Sequence, residues 1–361
     1  MKQLKKVLFS LFIGSFTILF SCNPSEDDYV SVPLSPVAVD LTQVPYPKLS
    51  DYKFFEGELK NMLPSYGVLP YKPTSELFTD YAEKKRFVWM PNGLKATYQG
   101  DAKTLNLPIG SAIIKMFYYN NVSPNNTTRI IETRLMIRKD SGWIFAEYVW
   151  NTEQTEAYLQ NQGSQTSVTW TDEWNNLRTI NYKIPSTVTD CKRCHGLNNG
   201  TRFPIGIKPQ NLNSNLTFSE GSKNQLSKWI EYGYLENNLP ATIVSVVDYK
   251  DATQPLLLRV RSYFDINCAH CHEDGAEADV FDLRFDFNKT ADLANMGVGV
   301  AAQHFLLGYN GRIVQPGNIG QSILFYRVQT ETDNFYMMPP LGRTTKHDQG
   351  VQLIQDWINS L

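Results

Sequence analysis

Cysteine is scarce in this chain: five in 361 residues, at Cys22, Cys191, Cys194, Cys268 and Cys271. The last four form two pairs of identical spacing, and once both pairs are committed to one chemistry no two cysteines are left for a disulfide, although an exported chain could form one. Neither charge dominates, with 34 basic against 36 acidic residues, and nothing in that balance suggests a nucleic-acid surface. The apolar run Val7–Phe20 is too short for a comfortable permanent membrane span. Apolar residues are not lacking: at 42% of the chain they suffice for packed cores, and the length allows one large or two medium domains.

That early run reads as a targeting segment. Lys2, Lys5 and Lys6 precede it, and Leu19-Phe20-Ser21-Cys22 follows. The tetrad resembles a bacterial lipobox, in which the cysteine is lipidated and becomes the first residue. Phe20 stands where that pattern usually has a smaller or branched residue, and an ordinary signal peptide with a stray cysteine is the other reading. Residues 1–21 are then a signal peptide and 22–50 a polar tether, opening on Asn23-Pro24-Ser25-Glu26-Asp27-Asp28. This implies a lipid anchor at Cys22 and a place in the cell envelope, on an outer membrane, facing the periplasm or the cell surface.

Cys191-Lys192-Arg193-Cys194-His195 and Cys268-Ala269-His270-Cys271-His272 both read C-x-x-C-H, the attachment signature of c-type haem. Two thiols one helical turn apart can each add to a vinyl group, and the adjacent imidazole then meets the iron. The cysteine spacing alone also suits a redox dithiol or half of a zinc site, and a structural Cys₄ zinc site built from all four is a further alternative. Haem is attached outside the cytoplasm, so export and the motifs support each other. The expected cofactors are two covalently bound haem c groups. Cys191, Cys194, Cys268 and Cys271 would hold them, with His195 and His272 as iron ligands.

Residues 51–200 read as a β-rich domain ending in the first motif. Leu49 to Leu63 suggests a short surface helix. Ile131, Thr133, Leu135 and Ile137 alternate with Glu132, Arg134, Met136 and Arg138, as in a half-buried strand. Asp140-Ser141-Gly142 marks a hairpin before Trp143 to Trp150. Val168 to Trp170 and Arg178 to Tyr182 complete a sheet of about five strands. The tryptophans Trp89, Trp143, Trp150, Trp170 and Trp174 suit either a sheet core or a cofactor pocket. Leu107 to Lys115, Gly142-Trp143 and Cys191 to Gly196 resemble the β-sheet cytochromes typified by lysine-cross-linked haem proteins. That resemblance implies a first haem with an open site for a small ligand, and Lys115 as a conceivable cross-linking lysine.

Residues 201–254 read as a connector with a helix near Asn224 to Tyr232. Residues 255–361 carry apolar stripes before Cys268 and at Val351, Ile354, Trp357, Ile358 and Leu361. Met337-Met338-Pro339-Pro340 stands shortly before the last stripe. This order resembles class I cytochromes c, which implies an all-α domain and an axial methionine, Met338 or secondarily Met337. A thioether ligand is soft and neutral and favours ferrous iron. The expected fold class is thus α+β: an N-terminal antiparallel sheet with one motif and an all-α C-terminal domain. His270, His304 and His347 read as surface or core histidines.

Ser75 to Tyr81, Glu132 to Leu135, Tyr148 to Asn151 and Tyr263 to His272 resemble a family of di-haem c-type cytochromes, often lipoproteins. The resemblance implies a membrane-anchored electron carrier, more a carrier than a catalyst, working with redox partner proteins whose identity is unknown. The alternative is a haem enzyme or binding protein for nitric oxide, hydroxylamine or peroxide at an open first iron.

Overall fold

Long runs of β-branched and aromatic residues between 83 and 184, punctuated by Asn, Asp and Gly turns, build an eight-stranded antiparallel sheet. The computed structural model describes residues 34–304, 306–333 and 335–361. Residues 35–361 form one compact unit. Cys22 and the whole signal segment lie outside the described residues. No helix among the described residues is long and apolar enough to cross a membrane.

The strands are β1 (Leu69–Pro70), β2 (Glu83–Trp89), β3 (Ala112–Val122), β4 (Thr127–Lys139), β5 (Gly142–Trp150), β6 (Ala157–Leu159), β7 (Ser164–Thr171) and β8 (Leu177–Ile184). Their order is β8-β7-β3-β4-β5-β6. β2 lies along β3 from Ala112 to Tyr118, β7 takes over at Val122, and β1 pairs with β2. The β4–β5 hairpin closes at Lys139 opposite Gly142, where the sequence places it. Trp89, Trp143, Trp150 and Trp170 are buried in the sheet's apolar layers. None of them lines either cavity described below.

β4 is not half-exposed. Glu132 is fully buried along with the apolar Leu135 and Ile137, so both faces of the strand are covered. On its polar face Glu132 is enclosed by protein and Arg134 lines a protein-walled cavity. Residues 37–50, expected as tether, run along the sheet and bury Val44 and Leu49. The surface helix expected at 49–63 is instead two 3₁₀ turns, Leu49–Tyr52 and Leu59–Asn61, with a small strand pair between Phe55–Glu56 and Leu63–Pro64.

The helices are α1 (Cys191–His195), α2 (Pro209–Leu212), α3 (Gln225–Glu231), α4 (Leu256–Asn267), α5 (Ile323–Gln329) and α6 (Asp348–Ser360). α3 falls where its apolar spacing predicts, capped by the Asn224 side chain, which accepts from Leu226 N and Ser227 N. The expectation of an all-α C-terminal domain is overturned. Among the described residues the structure is mostly β, 26% strand against 19% helix, with six short helices. α4 does pack on α6, Phe264 meeting Trp357 edge-on at 5.8 Å. From Cys268 to Ser322, however, the described residues are turns, bends, isolated bridges and two 3₁₀ segments. That span is interrupted by Gly275, Gly297, Gly299, Gly308, Gly311 and Gly317, all at positive φ, which no α-helix accommodates. At Gly297 a Cβ would fall 2.2 Å from the Ile313 side chain, so the chain can pass there only as glycine.

The segment Ser75 to Tyr81 ties the sheet to the C-terminal region. Ser75 Oγ donates to Val247 O and accepts from Tyr249 N, Phe78 N donates to the Asn267 side chain, and Phe78 stacks on His347 at 4.3 Å. Glu76 is held by Lys72 Nζ at 2.9 Å and by the buried Arg86 Nη1 at 3.2 Å. Burial alone would raise the Glu76 pKa, but Arg86 and Lys72 outweigh it and lower it to about 2. A carboxyl depressed on folding stabilises above its ordinary pKa near 4.5 and loses that contribution as pH falls toward 2. Glu76→Gln is expected to cost about 2 kcal/mol at neutral pH, since Arg86 then stays buried without its counter-charge. In urea melts, the gap between variant and parent should close between pH 4.5 and 2; a gap independent of pH would refute the assignment.

Candidate functional site

β8 delivers the first motif. Pro185 ends the strand, and a tight turn closes by Ser186 N donating to Asp190 Oδ2 at 3.0 Å and Asp190 N to Ser186 O at 2.9 Å. α1 follows at once, and its spacing puts Cys191 and Cys194 on one side. Gly196 completes the turn; a Cβ there would sit 2.4 Å from Lys192 O. His195 Nδ1 donates to Phe203 O at 3.0 Å, which orients the ring and leaves Nε2 available to a metal. The second motif extends α4: Cys268 N donates to Phe264 O, and Cys271 N and His272 N both donate to Cys268 O. Asn267, just before it, is fixed by Phe78 N and Tyr263 O.

The two motif loops are joined directly. Asn198 N donates to Gly275 O at 2.7 Å and Asn198 Nδ2 to Ala276 O at 3.0 Å. Arg193 pairs with Glu277, and Cys271 Sγ lies 3.7 Å from Arg193 O. Cys194, His270 and Cys271 thereby bring their ligand atoms within 4.8 Å of one another. Cys191 and Cys268 are not part of that group, so the four cysteines do not assemble as one Cys₄ set among the described residues.

Each motif opens into its own cavity. The first, about 580 Å³, receives Cys191, Cys194 and His195, a volume in the usual range for cofactor sites, roughly 300–1,000 Å³. The second, about 100 Å³, receives Cys268, Cys271, His272 and Met338. It is tight, so seating a macrocycle there requires its wall to yield. Pro340, Leu341, Gly342 and Arg343 line both cavities, and Met337, next to Met338, faces the first one. No protein-family model, curated protein or solved structure matches this chain. The chemistry of the site is therefore read from its own residues.

The donor set suits iron in a macrocycle. Burial pushes both His195 and His272 down to about 4, so each imidazole is neutral at physiological pH, as a metal ligand must be. Burial also raises the Cys191 thiol to about 11 and Cys268 to about 12. The hydrogen bond with Cys271 is the largest influence pulling Cys194 well below the thiol range, and His270 adds to it. His272 Nδ1 and His270 Nδ1 are buried with no hydrogen-bond partner. His304 is exposed, while His347 is buried in an aromatic cluster with Phe78, Tyr249 and Tyr263.

The walls of the two cavities differ. Arg86, Lys115, Arg134 and Glu147 form a cross-strand row over β2 to β5, and the last three reach the first cavity. Arg134 is held by Glu132 and by Glu147, and Tyr182 OH donates to Glu132 at 2.5 Å. Burial first, then the adjacent Glu132, raises Glu147 well above the carboxylate range despite Arg134. Burial and the neighbouring arginines push Lys115 well below the usual lysine range. Glu132, Arg134 and Glu147 were not singled out from the sequence as site residues. The signal for Glu132 and Arg134 was charge on alternate positions among the apolar residues of β4, and for Glu147 a lone carboxylate within the apolar β5.

Asp80 fixes the loop carrying both methionines, accepting from Thr344 N at 2.6 Å, Thr344 Oγ1 at 2.9 Å and Thr345 N at 3.0 Å. Asp80→Ala should lower unfolding stability by about 2 kcal/mol. It should also open the chain to trypsin at Arg343, which is buried in the parent. Denaturant melts and a timed digest followed by mass spectrometry report both. Trypsin resistance at Arg343 equal to the parent's would show that the loop is held elsewhere.

Proposed function

We propose that this protein is a di-haem c-type cytochrome that carries single electrons in the bacterial cell envelope. One observation carries the reading. Each C-x-x-C-H motif opens into a separate cavity with a neutral imidazole, and the cavity of the second motif also contains the methionine expected as its sixth ligand. Cys191 and Cys194 would attach the first haem and Cys268 and Cys271 the second, with His195, His272 and Met338 on iron. When bound, the haems supply a ferric/ferrous couple.

The chain's own residues do the rest. Phe203 O fixes the His195 tautomer, and Arg343 Nη2 donates to Met338 O at 2.8 Å, bracing the backbone of the thioether ligand. Apolar Phe285, Leu324 and Val328 exclude water from the second cavity and favour the less charged ferrous state. The N-terminal segment supports a lipid anchor at Cys22, and redox proteins of the envelope are the partners.

A second reading has an observation of its own. The ionisable wall of Lys115, Arg134 and Glu147 is out of place beside a simple electron carrier but suits a small ligand, such as nitric oxide, hydroxylamine or peroxide, that exchanges protons. Glu147 would donate a proton and Arg134 would hold developing negative charge.

Protein matured in a host that attaches haem should stain for haem on a denaturing gel and give two haems per chain in the pyridine spectrum. Cys191→Ala/Cys194→Ala and Cys268→Ala/Cys271→Ala should each lose one. Colourless protein, or protein carrying only zinc, would sink the proposal. Carbon monoxide added to the ferrous parent separates the readings: no binding supports the carrier, binding at one haem the ligand site. Met338→Ala should make the second haem bind carbon monoxide and lower its midpoint potential.

A further inference from the structure

Cys194 and Cys271 are the second cysteines of their motifs, and their sulfurs and a His270 ring nitrogen lie within 4.8 Å of one another. In a C-x-x-C-H site each such sulfur is joined to a carbon that is itself attached to the macrocycle's edge. We infer that Cys194 and Cys271 hold the edges of the two haems against each other, making them one coupled redox pair and not two independent carriers. The inference rests on the haem reading above.

Three further features support it. The motif loops are locked in register by Asn198 on Gly275 and Ala276 and by Arg193 on Glu277, so the sulfur contact cannot drift apart. The two cavities share a wall at Pro340 to Arg343, so at that side a single stretch of chain is all that separates them. His270, buried beside both sulfurs, fills the remaining space with a polarisable ring. An electron from a one-electron protein donor can then cross inside the molecule. One iron returns to ferric as the other becomes ferrous, no bond forms or breaks, and a one-electron acceptor removes the electron from the second site. At so short a separation the charge on one iron acts on the other, and reducing either makes the second harder to reduce.

The test is circular dichroism in the Soret region, with a potentiometric titration, on the full-length haem-loaded protein. Coupled chromophores should give a band with lobes of opposite sign in both the fully oxidised and the fully reduced protein. The Cys191→Ala/Cys194→Ala and Cys268→Ala/Cys271→Ala variants should each lose one lobe, leaving a band of one sign. Their midpoints should be displaced from both midpoints of the parent. If the variants do not fold, the half-reduced parent decides: coupling requires the paired lobes to collapse at half reduction, when the two absorption bands no longer coincide. A parent with two haems by pyridine count, whose spectrum is the sum of the single-haem variants or merely scales with reduction, overturns the coupling and leaves the cytochrome intact. A parent with no haem overturns the cytochrome reading itself.

Discussion

The backbone hydrogen bond from Asn198 to Gly275 is the constraint around which the rest of the site is arranged. One of its loops hangs from the last strand of the sheet and the other from the end of α4. Neither strand nor helix alone determines where the motifs lie relative to each other. Arg193 and Glu277 also bridge the loops, but both are well exposed, and a pair of that kind contributes only about 0–1 kcal/mol. The backbone bond and the second bond to Ala276 are worth about 1 kcal/mol each, and they also fix direction. The seam from Ser75 to Tyr81 continues the same task on the far side, where Phe78 holds Asn267 directly before Cys268. Both cavities thus inherit their placement from contacts between parts of the chain remote in sequence.

The row Arg86, Lys115, Arg134, Glu147 shows how the sheet tolerates charge in its interior. Three bases side by side on adjacent strands would repel. The strain is relieved by proton equilibria: burial, together with Arg86 and Arg134, favours the neutral amine of Lys115. Glu147 is driven the other way, toward its protonated form, by burial and by Glu132. Formal charge then concentrates on Arg134 against Glu132 and on Arg86 against Glu76. A sheet selected for stability alone would place apolar residues here, since replacing buried ion pairs by hydrophobic side chains is often neutral or favourable. Lys115, Arg134 and Glu147 nevertheless line the first cavity, where they favour the proposed ligand site over a site selected for stability alone.

Much of the site was legible because its determinants are local. The two C-x-x-C-H motifs are five residues each, and the hairpin at Asp140-Ser141 needs only its turn and flanking strands. α3 and α6 follow from their own stripes and, for α3, its cap. The all-α C-terminal domain failed because the stripes of α4 and α6 were extended across a span whose glycines forbid helix. β4 was misjudged for a different reason. Alternation reports that two faces differ, not that the polar one meets water, and only the tertiary fold shows that Glu132 is fully buried and that Arg134 lines a walled cavity. The folding of residues 37–50 onto the sheet was hidden likewise, since Val44 and Leu49 find their partners far along the chain.

Met337 and Met338 carry the argument one step further. Neighbouring residues in non-helical backbone point to opposite sides, so one dipeptide reaches two cavities. The backbone there is held on both flanks: Met337 N donates to Asp333 O, Met338 N to Arg327 O, and Arg343 to Met338 O. Met338 to Arg343 form one side of the second cavity, and Pro340 to Arg343 are at the same time a wall of the first. The two cavities therefore do not have independent walls: the backbone that places Met338 in one also shapes the other.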